Sequence, residues 1–509
     1  MTTAAAPSWF QRTLDRIERA GNALPHPASL FLILCTLVVV LSWVVRAAGV
    51  EVTHPVTGEM VRPVNLLSVE GLRRIILGLL PNFINFAPLG SVLVCLLGLS
   101  VAEASGLLHA VVRVVVGATP RHILTVVVVF CGAMSHTIGD VGYVLLLPLS
   151  ATLFLAVGRH PLAGLAAAFS GVSGGVAAHL LISPTDVILA DLTQRAAQGI
   201  QAGYQVTPLA NYFFLGTSVF LVTAAGSFVT EYFVEPRLGR YDGEARAEAL
   251  EPLGAAERRG LAWGLGAVAA LAAIVAAGVL PENGFLLDPE QPDFIHSYFV
   301  RGLVFFIFVF GLVPGIAYGR AAGTIVRDTD VYNGMQKTIE LLAGYIVVVF
   351  FIAQFVNLFN WTNLGVILAV NGAAVLRTLD LGAIPLLIGL VLLTMSIDLL
   401  IGSSSAKWAV LAPIFVPMFM LLGYTPELTQ AAYRVGDSVT NIITPLMSNF
   451  PLVLMFAQRY EPRAGIGTMT ATMLPCSMCF FLGWTLLLVI WVTAGWPVGP
   501  GAPLYLHAP

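Results

Sequence analysis

The sequence predicts an all-α polytopic membrane protein organised around an inverted repeat, and three observations carry that expectation. Of its 509 residues, 57% are hydrophobic and 10% charged, against about 25% charged in a soluble domain; mean hydropathy is +0.87. The apolar runs are long and continuous, as in Ser29–Val45 and Phe480–Thr493. Such runs suit helices that close their own backbone hydrogen bonds in lipid, not the alternating short segments of a membrane barrel. Finally, a shift of 265 residues lays Asp140–Leu189 over Ser405–Leu454 without a gap. Pro148 then meets Pro413, Gly158 meets Gly423, Pro161 meets Pro426, Gly171 meets Gly436, Ser173 meets Ser438 and Ser183 meets Ser448. The matches fall on structural punctuation and not on bulk leucine, the mark of a repeated folding unit with polar breaks at corresponding places.

Taken in order, the chain opens on a polar stretch with Arg12, Asp15, Arg16, Glu18 and Arg19, followed by a retained first span and not a cleaved leader. Spans are expected over 28–48, 84–101, 120–157, 162–195, 209–234, 260–280, 298–318, 338–360, 363–376, 381–422, 428–458 and 466–494. About 20 apolar residues cross a bilayer core, so 120–157 and 381–422 are long enough for two elements each and read as hairpins that enter and return. The amphipathic stretch 70–86 reads as an interfacial helix. Arg237, Arg240, Arg246, Arg258 and Arg259 mark the largest polar loop as cytoplasmic. The basic N-terminus should then be inside, and the Lys- and Arg-free tail after Gly495 outside. That requires an odd number of full spans. A net charge of −3 gives no reason to expect a nucleic-acid partner. All five cysteines lie in apolar surroundings; Cys476 and Cys479 have C-x-x-C spacing but open an apolar helix, and read as small core residues.

Each repeat has a polar tip leading into an apolar run that ends in proline, then an interrupted helix. Backbone groups freed at such tips are tolerable only where they line a wet, protein-enclosed cavity. There, carbonyls and helix C-termini suit a small cation, and helix N-termini suit a carboxylate. Gly402-Ser403-Ser404-Ser405 is such a tip, with Trp408 offering a flat apolar face beside it. Asp140, Asp186, Asp398, Lys407, Arg434 and Asp437 fall inside the repeat units, and charge at that depth points to function. Arg434 and Asp437, three apart, share a helical face and are expected to pair or to clamp a substrate carboxylate. Lys407 is expected to snorkel to the interface. His136 and His179 lie near the tip and the break of the first unit, and read as satisfied core residues or, beside Asp140 and Asp186, as proton carriers near neutral pH.

The stretches 158–175 (GRHPLAGLAAAFSGVSGG), 401–418 (IGSSSAKWAVLAPIFVPM) and 432–452 (AYRVGDSVTNIITPLMSNFPL) resemble the AbgT family, the p-aminobenzoyl-glutamate transporters, as does the opening GNALPHP at 21–27. The resemblance covers about residues 10–494. It implies a bowl-shaped homodimer in the bacterial inner membrane, each subunit with about nine transmembrane helices and two re-entrant hairpins. It also implies uptake of p-aminobenzoyl-glutamate or export of sulfonamide antimetabolites, driven by a sodium or proton gradient. On that frame the chain divides into a cytoplasmic N-terminal segment (1–27), scaffold helices (28–119), a first transport repeat (120–198), further scaffold helices with a cytoplasmic loop at 235–259 (199–380), a second transport repeat (381–460), and a final helix with a periplasmic tail (461–509). Residues matching the family's substrate and ion positions are Asp186, Ser405, Trp408, Pro426, Arg434, Asp437 and Pro445, and Asn441 matches an amide at a helix break. The expected ion-coupling set is Asp186, Asp398, Ser403, Ser404, Asn441, Asp140, His136 and His179, with sodium near Ser404 and Asn441. Asp398, His136 and His179 stand where asparagine is expected in this family, which leans the reading toward protons.

No catalytic triad with a nucleophile elbow, no H-E-x-x-H and no P-loop is present in the sequence. The expectation is therefore a gradient-driven carrier with no cofactor, not an enzyme. Its partners would be a small-molecule substrate and membrane lipid. A dicarboxylate or anion symporter of related fold is the alternative, with a channel or intramembrane enzyme behind it.

Overall fold

The computed structural model describes residues 27–53, 57–117, 119–138, 142–243, 253–447 and 449–506. The polar N-terminal segment, Asp140, Ser448 and residues 244–252 of the long polar loop lie outside the described residues. Among the described residues, eight helical stretches are long and apolar enough to cross a membrane: Ala28–Ala47, Val69–Ala104, Tyr212–Leu238, Ala255–Val279, Leu303–Ala322, Leu342–Trp361, Ser404–Leu421 and Ile466–Ala494. The second is broken at Asn85–Phe86 into the helices Val69–Ile84 and Ala87–Ala104. Ser404–Leu421 is the second arm of a hairpin. The other seven lie outside the two repeat units.

The repeat is visible in the elements. In the first unit, Leu124–Ser135 and Leu147–Ala156 form a hairpin, followed by Pro161–Val172, a break, and Pro184–Gln198. In the second, Ala383–Asp398 and Ser404–Leu421 are followed by Pro426–Asn441, a break, and Phe450–Tyr460. Hairpin arms of 10 to 18 residues are about 15–27 Å long, short of the ~30 Å hydrocarbon core. The matched punctuation explains the shared turn. Each hairpin ends on a glycine with left-handed backbone, Gly158 at φ +80° and Gly423 at φ +93°, a conformation only glycine adopts freely. The next residue closes the helix end, Arg159 N–H to Phe154 C=O at 2.8 Å and Tyr424 N–H to Phe419 C=O at 3.0 Å. A side-chain cap follows, His160 Nδ1 accepting from Leu162 N–H and Thr425 Oγ1 from Leu428 N–H. Pro161 and Pro426 then open their helices, where no N–H is needed.

The interrupted helices pack across their own hairpins, and Gly171 and Gly436 allow it. A Cβ on Gly171 would lie 2.2 Å from Val129 O, and one on Gly436 2.5 Å from Val391 O. The two units meet at their breaks through the matched serines. Ser173 Oγ donates to Asn441 O at 3.2 Å, and Ser438 Oγ accepts from Ala177 N–H at 3.0 Å. Each serine thus reaches the other unit's chain, a reciprocity that a two-fold relation between the units produces.

Around this crossing, Ala87–Ala104, Ala255–Val279, Leu303–Ala322 and Asp328–Trp361 pack mainly on one another, with Pro27–Ala47 against the last. Tyr212–Val229, grouped by sequence with these scaffold helices, packs against Leu124–Ser135 and Ile466–Ala494. All five cysteines are free thiols, and Cys476 is buried against the repeats.

Candidate functional site

The site forms where Pro426–Asn441 passes the break of the first unit and the tip of the second hairpin. Every residue of Pro426–Asn441 is buried, including Arg434 and Asp437, so its charges must find partners inside the protein. Arg434 Nη1 lies 2.6 Å from Asp186 Oδ1. Asp186 is held by its own helix: Ser183 N–H and Oγ–H both donate to Oδ2, at 2.6 and 2.8 Å, in a capping box at the start of Pro184–Gln198. That leaves Oδ1 for the arginine. His179, in the break itself, donates through Nδ1 to Leu181 O at 2.9 Å. Because a carbonyl only accepts, Nδ1 carries the proton, and Nε2 accepts from Arg434 Nη2. It sits 3.5 Å from Asp186 Oδ1 and 3.4 Å from Arg434 Nη2. His136 caps the same region by donating to Val172 O.

One turn along the same helix, Asp437 shares Lys407 with Asp398, and all three side chains are at most 1% exposed. Next in sequence to Lys407 and Arg434 stands an aromatic pair. Trp408 stacks on Tyr433 with ring centroids 4.3 Å apart, and its Nε1 donates to Thr193 Oγ1 at 2.8 Å. Thr193 in turn donates to Gln430 Oε1 at 2.7 Å. Tyr433 donates to Ser404 O at 2.5 Å, tying the hairpin tip to the helix. Arg434 Nε and Asp398 Oδ2 are buried without a hydrogen-bond partner among the described residues. An unmet buried polar group costs about 1–3 kcal/mol.

The model of the AbgT transporter family matches residues 12–506. The chain belongs to the AbgT family. It is 40% identical over 504 residues to the p-aminobenzoyl-glutamate transport protein of Escherichia coli (strain K12), covering 98% of this chain and 99% of that one. The crystal structure of the Alcanivorax borkumensis YdaH transporter superposes with a TM-score of 0.88 at 45% identity, covering 94% of this chain and all of that one. Neisseria gonorrhoeae MtrF, described with a class of antimetabolite efflux pumps, superposes with a TM-score of 0.90 at 45% identity, covering 97% of this chain. This AbgT member is therefore a multi-pass membrane transporter and not an enzyme.

Several sequence expectations need correction in this AbgT member. Lys407 does not snorkel; it is fully buried between two carboxylates. Arg434 and Asp437 do not pair with each other, because Asp186 and Lys407 compete successfully from other elements. Trp408 offers no open face: it is 0% exposed. The Ser404 hydroxyl lies 3.4 Å from that of Tyr433, and the Asn441 carbonyl accepts from Ser173 Oγ. Pro426 begins its helix fifteen residues before Asn441, about 22 Å away along the axis. Pro445 lies half-buried in the second break, and Ser403 caps Ser404–Leu421 with its Oγ 3.5 Å from that of Ser405.

Thr193, Gln430 and Tyr433 escaped the sequence reading because hydroxyls and amides are ordinary on any helix. For Gln430 and Tyr433 the available signal was their spacing from Arg434 and Asp437 on one polar-faced helix; Thr193, on Pro184–Gln198, gave none. Trp408→Ala is expected to destabilise the protein by about 3–5 kcal/mol, the cost of an emptied core site. Trp408→Phe should keep the stacking and lose about 1 kcal/mol with the Thr193 bond. Thermal unfolding in detergent checks both, and a neutral Trp408→Ala would mean that the ring is not a packing post.

Proposed function

We propose that this protein is a secondary active carrier of p-aminobenzoyl-glutamate and related aryl carboxylates, also able to export sulfonamide antimetabolites, and that protons drive it. The substrate class follows the names of its relatives. The observation that carries the coupling is the position of His179 Nε2 between Asp186 and Arg434. Three buried carboxylates, Asp186, Asp398 and Asp437, face two fixed cations, Arg434 and Lys407. One negative charge is left over, and a single monovalent cation balances it. A proton on His179 Nε2 supplies that charge and gives Asp186 a second partner. Arg434, with Nε already unpartnered, can then turn its planar fork to a substrate carboxylate. His136 and Asp398 are the neighbouring groups that tune or share the proton, and sodium is the competing ion.

In this reading the two repeats move against the scaffold helices as an elevator, carrying the charge crossing from one side to the other in each subunit of a homodimer. The N-terminus is cytoplasmic in the bacterial inner membrane. The buried Trp408 ring favours weighing the dicarboxylate alternative, since no aromatic face is open in this state. Counterflow in proteoliposomes separates the two: labelled p-aminobenzoyl-glutamate should exchange and succinate should not.

His179→Gln keeps a side chain that can hydrogen-bond but cannot take a proton. The variant is expected to retain counterflow while losing both accumulation under a proton gradient and the pH dependence of rate across about pH 5–8. Strict sodium dependence of the native protein, with no effect of pH, would sink proton coupling.

A further inference from the structure

The first polar loop and the interfacial helix build a second charged feature, far in sequence from the transport site. Arg46 ends the first span, Arg62 lies in the following loop, and Arg74 stands on the first turns of Val69–Ile84. Together they line a cleft of about 330 Å³ with Ser68 and one opposing carboxylate, Glu70. The cleft floor is fixed. Leu66 N–H donates to Ser42 Oγ at 3.0 Å, Val64 N–H to Thr362 O at 3.1 Å, and Asn363 Nδ2 to Arg62 O at 3.0 Å. Gly71 lets the helix start pack on the loop, since a Cβ there would lie 2.5 Å from Leu66 Cα. Two arginines are oriented by neighbours: Arg62 by Glu51 at 2.7 Å, and Arg74 over the Trp361 ring at 4.8 Å. The helix N-terminus at Ser68 adds its dipole to the same cleft.

Beyond the cleft, Val69–Ile84 exposes an apolar face: Leu72, Ile76, Leu80 and Ile84 are 47–74% exposed. Their spacing is one stripe of a helix lying in the membrane interface. On the orientation that the basic N-terminus sets, this end of the first span faces outward, where arginines beside spans are scarce. An arginine-lined cleft there, opening beside an acyl-chain-sized apolar stripe, calls for an anionic amphiphile. We infer that this cleft binds the phosphodiester of an anionic phospholipid, with the guanidinium groups of Arg46 and Arg74 on the head group and the exposed stripe of Val69–Ile84 against the acyl chains. The cleft abuts Trp361 at the end of the long helix Asp328–Trp361, so the lipid would brace scaffold helices and not the moving repeats.

The test is native mass spectrometry of the delipidated full-length protein, titrated with phosphatidylglycerol or phosphatidylcholine of identical chains, and separately with inorganic phosphate. The native protein should prefer phosphatidylglycerol, and Arg46→Gln with Arg74→Gln should lose that preference by about fivefold for each arginine. Arg258→Gln with Arg259→Gln, a basic pair elsewhere, should keep it, which separates the cleft from general surface charge. Should the double variant at the cleft fail to fold, Arg46→Gln alone is read in the same way. Equal binding of the two lipids, a preference surviving the cleft substitutions or lost equally in the control pair, or inorganic phosphate displacing the lipid at equal concentration would each overturn the assignment.

Discussion

Arg434→Met is expected to abolish transport and to destabilise the protein by about 3–5 kcal/mol, the range for removing one partner of a buried ion pair. The size follows from what is left behind. Asp186 is 1% exposed, its Oδ2 is committed to Ser183, and Oδ1 would face only the imidazole of His179. Arg434→Lys should recover part of the stability but little transport, because an ammonium lacks the planar fork that can hold one carboxylate while releasing another. The two losses separate in the pair Arg434→Met with Asp186→Asn. The asparagine oxygen still accepts from Ser183 and carries no charge, so stability should return while transport does not. Unfolding in detergent and counterflow in proteoliposomes read the two effects independently. If the double variant transports, Arg434 is only a structural ion-pair partner.

Lys407→Met has the second large expected effect. A snorkelling lysine at a membrane edge could be replaced within about 0.5 kcal/mol. A lysine buried between Asp398 and Asp437 cannot, because two carboxylates would then share one site without a counter-charge. A loss of about 3–5 kcal/mol is expected. Asp398→Asn alone should cost much less, since Asp437 continues to hold the ammonium. Lys407→Met with Asp398→Leu should recover only part of the loss, because Asp437 stays buried without a counter-charge. Unfolding midpoints of the three variants test this order. Lys407→Met behaving like a surface substitution would contradict the buried position.

The fold was legible in the sequence wherever local chemistry decides it. Pro161 and Pro426 start helices because proline lacks the N–H that a first turn leaves unused. Gly158 and Gly423 end hairpins because the backbone there is left-handed. Such rules act within a few residues, so the repeat could be read without coordinates. Partner choice could not. Arg434 and Asp437 sit three apart and invite pairing, yet Asp186, in the other repeat, takes the arginine. That outcome depends on how two distant helices cross. Lys407 was ambiguous for a related reason: a long aliphatic stem reaches either the interface or an internal carboxylate, and only packing decides. Trp408 read as an open ring because the sequence shows its polar neighbours but not Tyr433 lying 4.3 Å over its face. The packing of Tyr212–Val229 against Leu124–Ser135 and Ile466–Ala494 was not legible either, because an apolar helix of that composition carries no sign of its neighbours.

The most direct measurement is an electron cryo-microscopy structure with p-aminobenzoyl-glutamate bound. Density for a substrate carboxylate within hydrogen-bond distance of the Arg434 guanidinium, at the crossing of the two interrupted helices and with the arginine drawn away from Asp186, is the expected result. Substrate bound elsewhere, with the Arg434–Asp186 pair unchanged, would contradict the assignment of this crossing as the transport site.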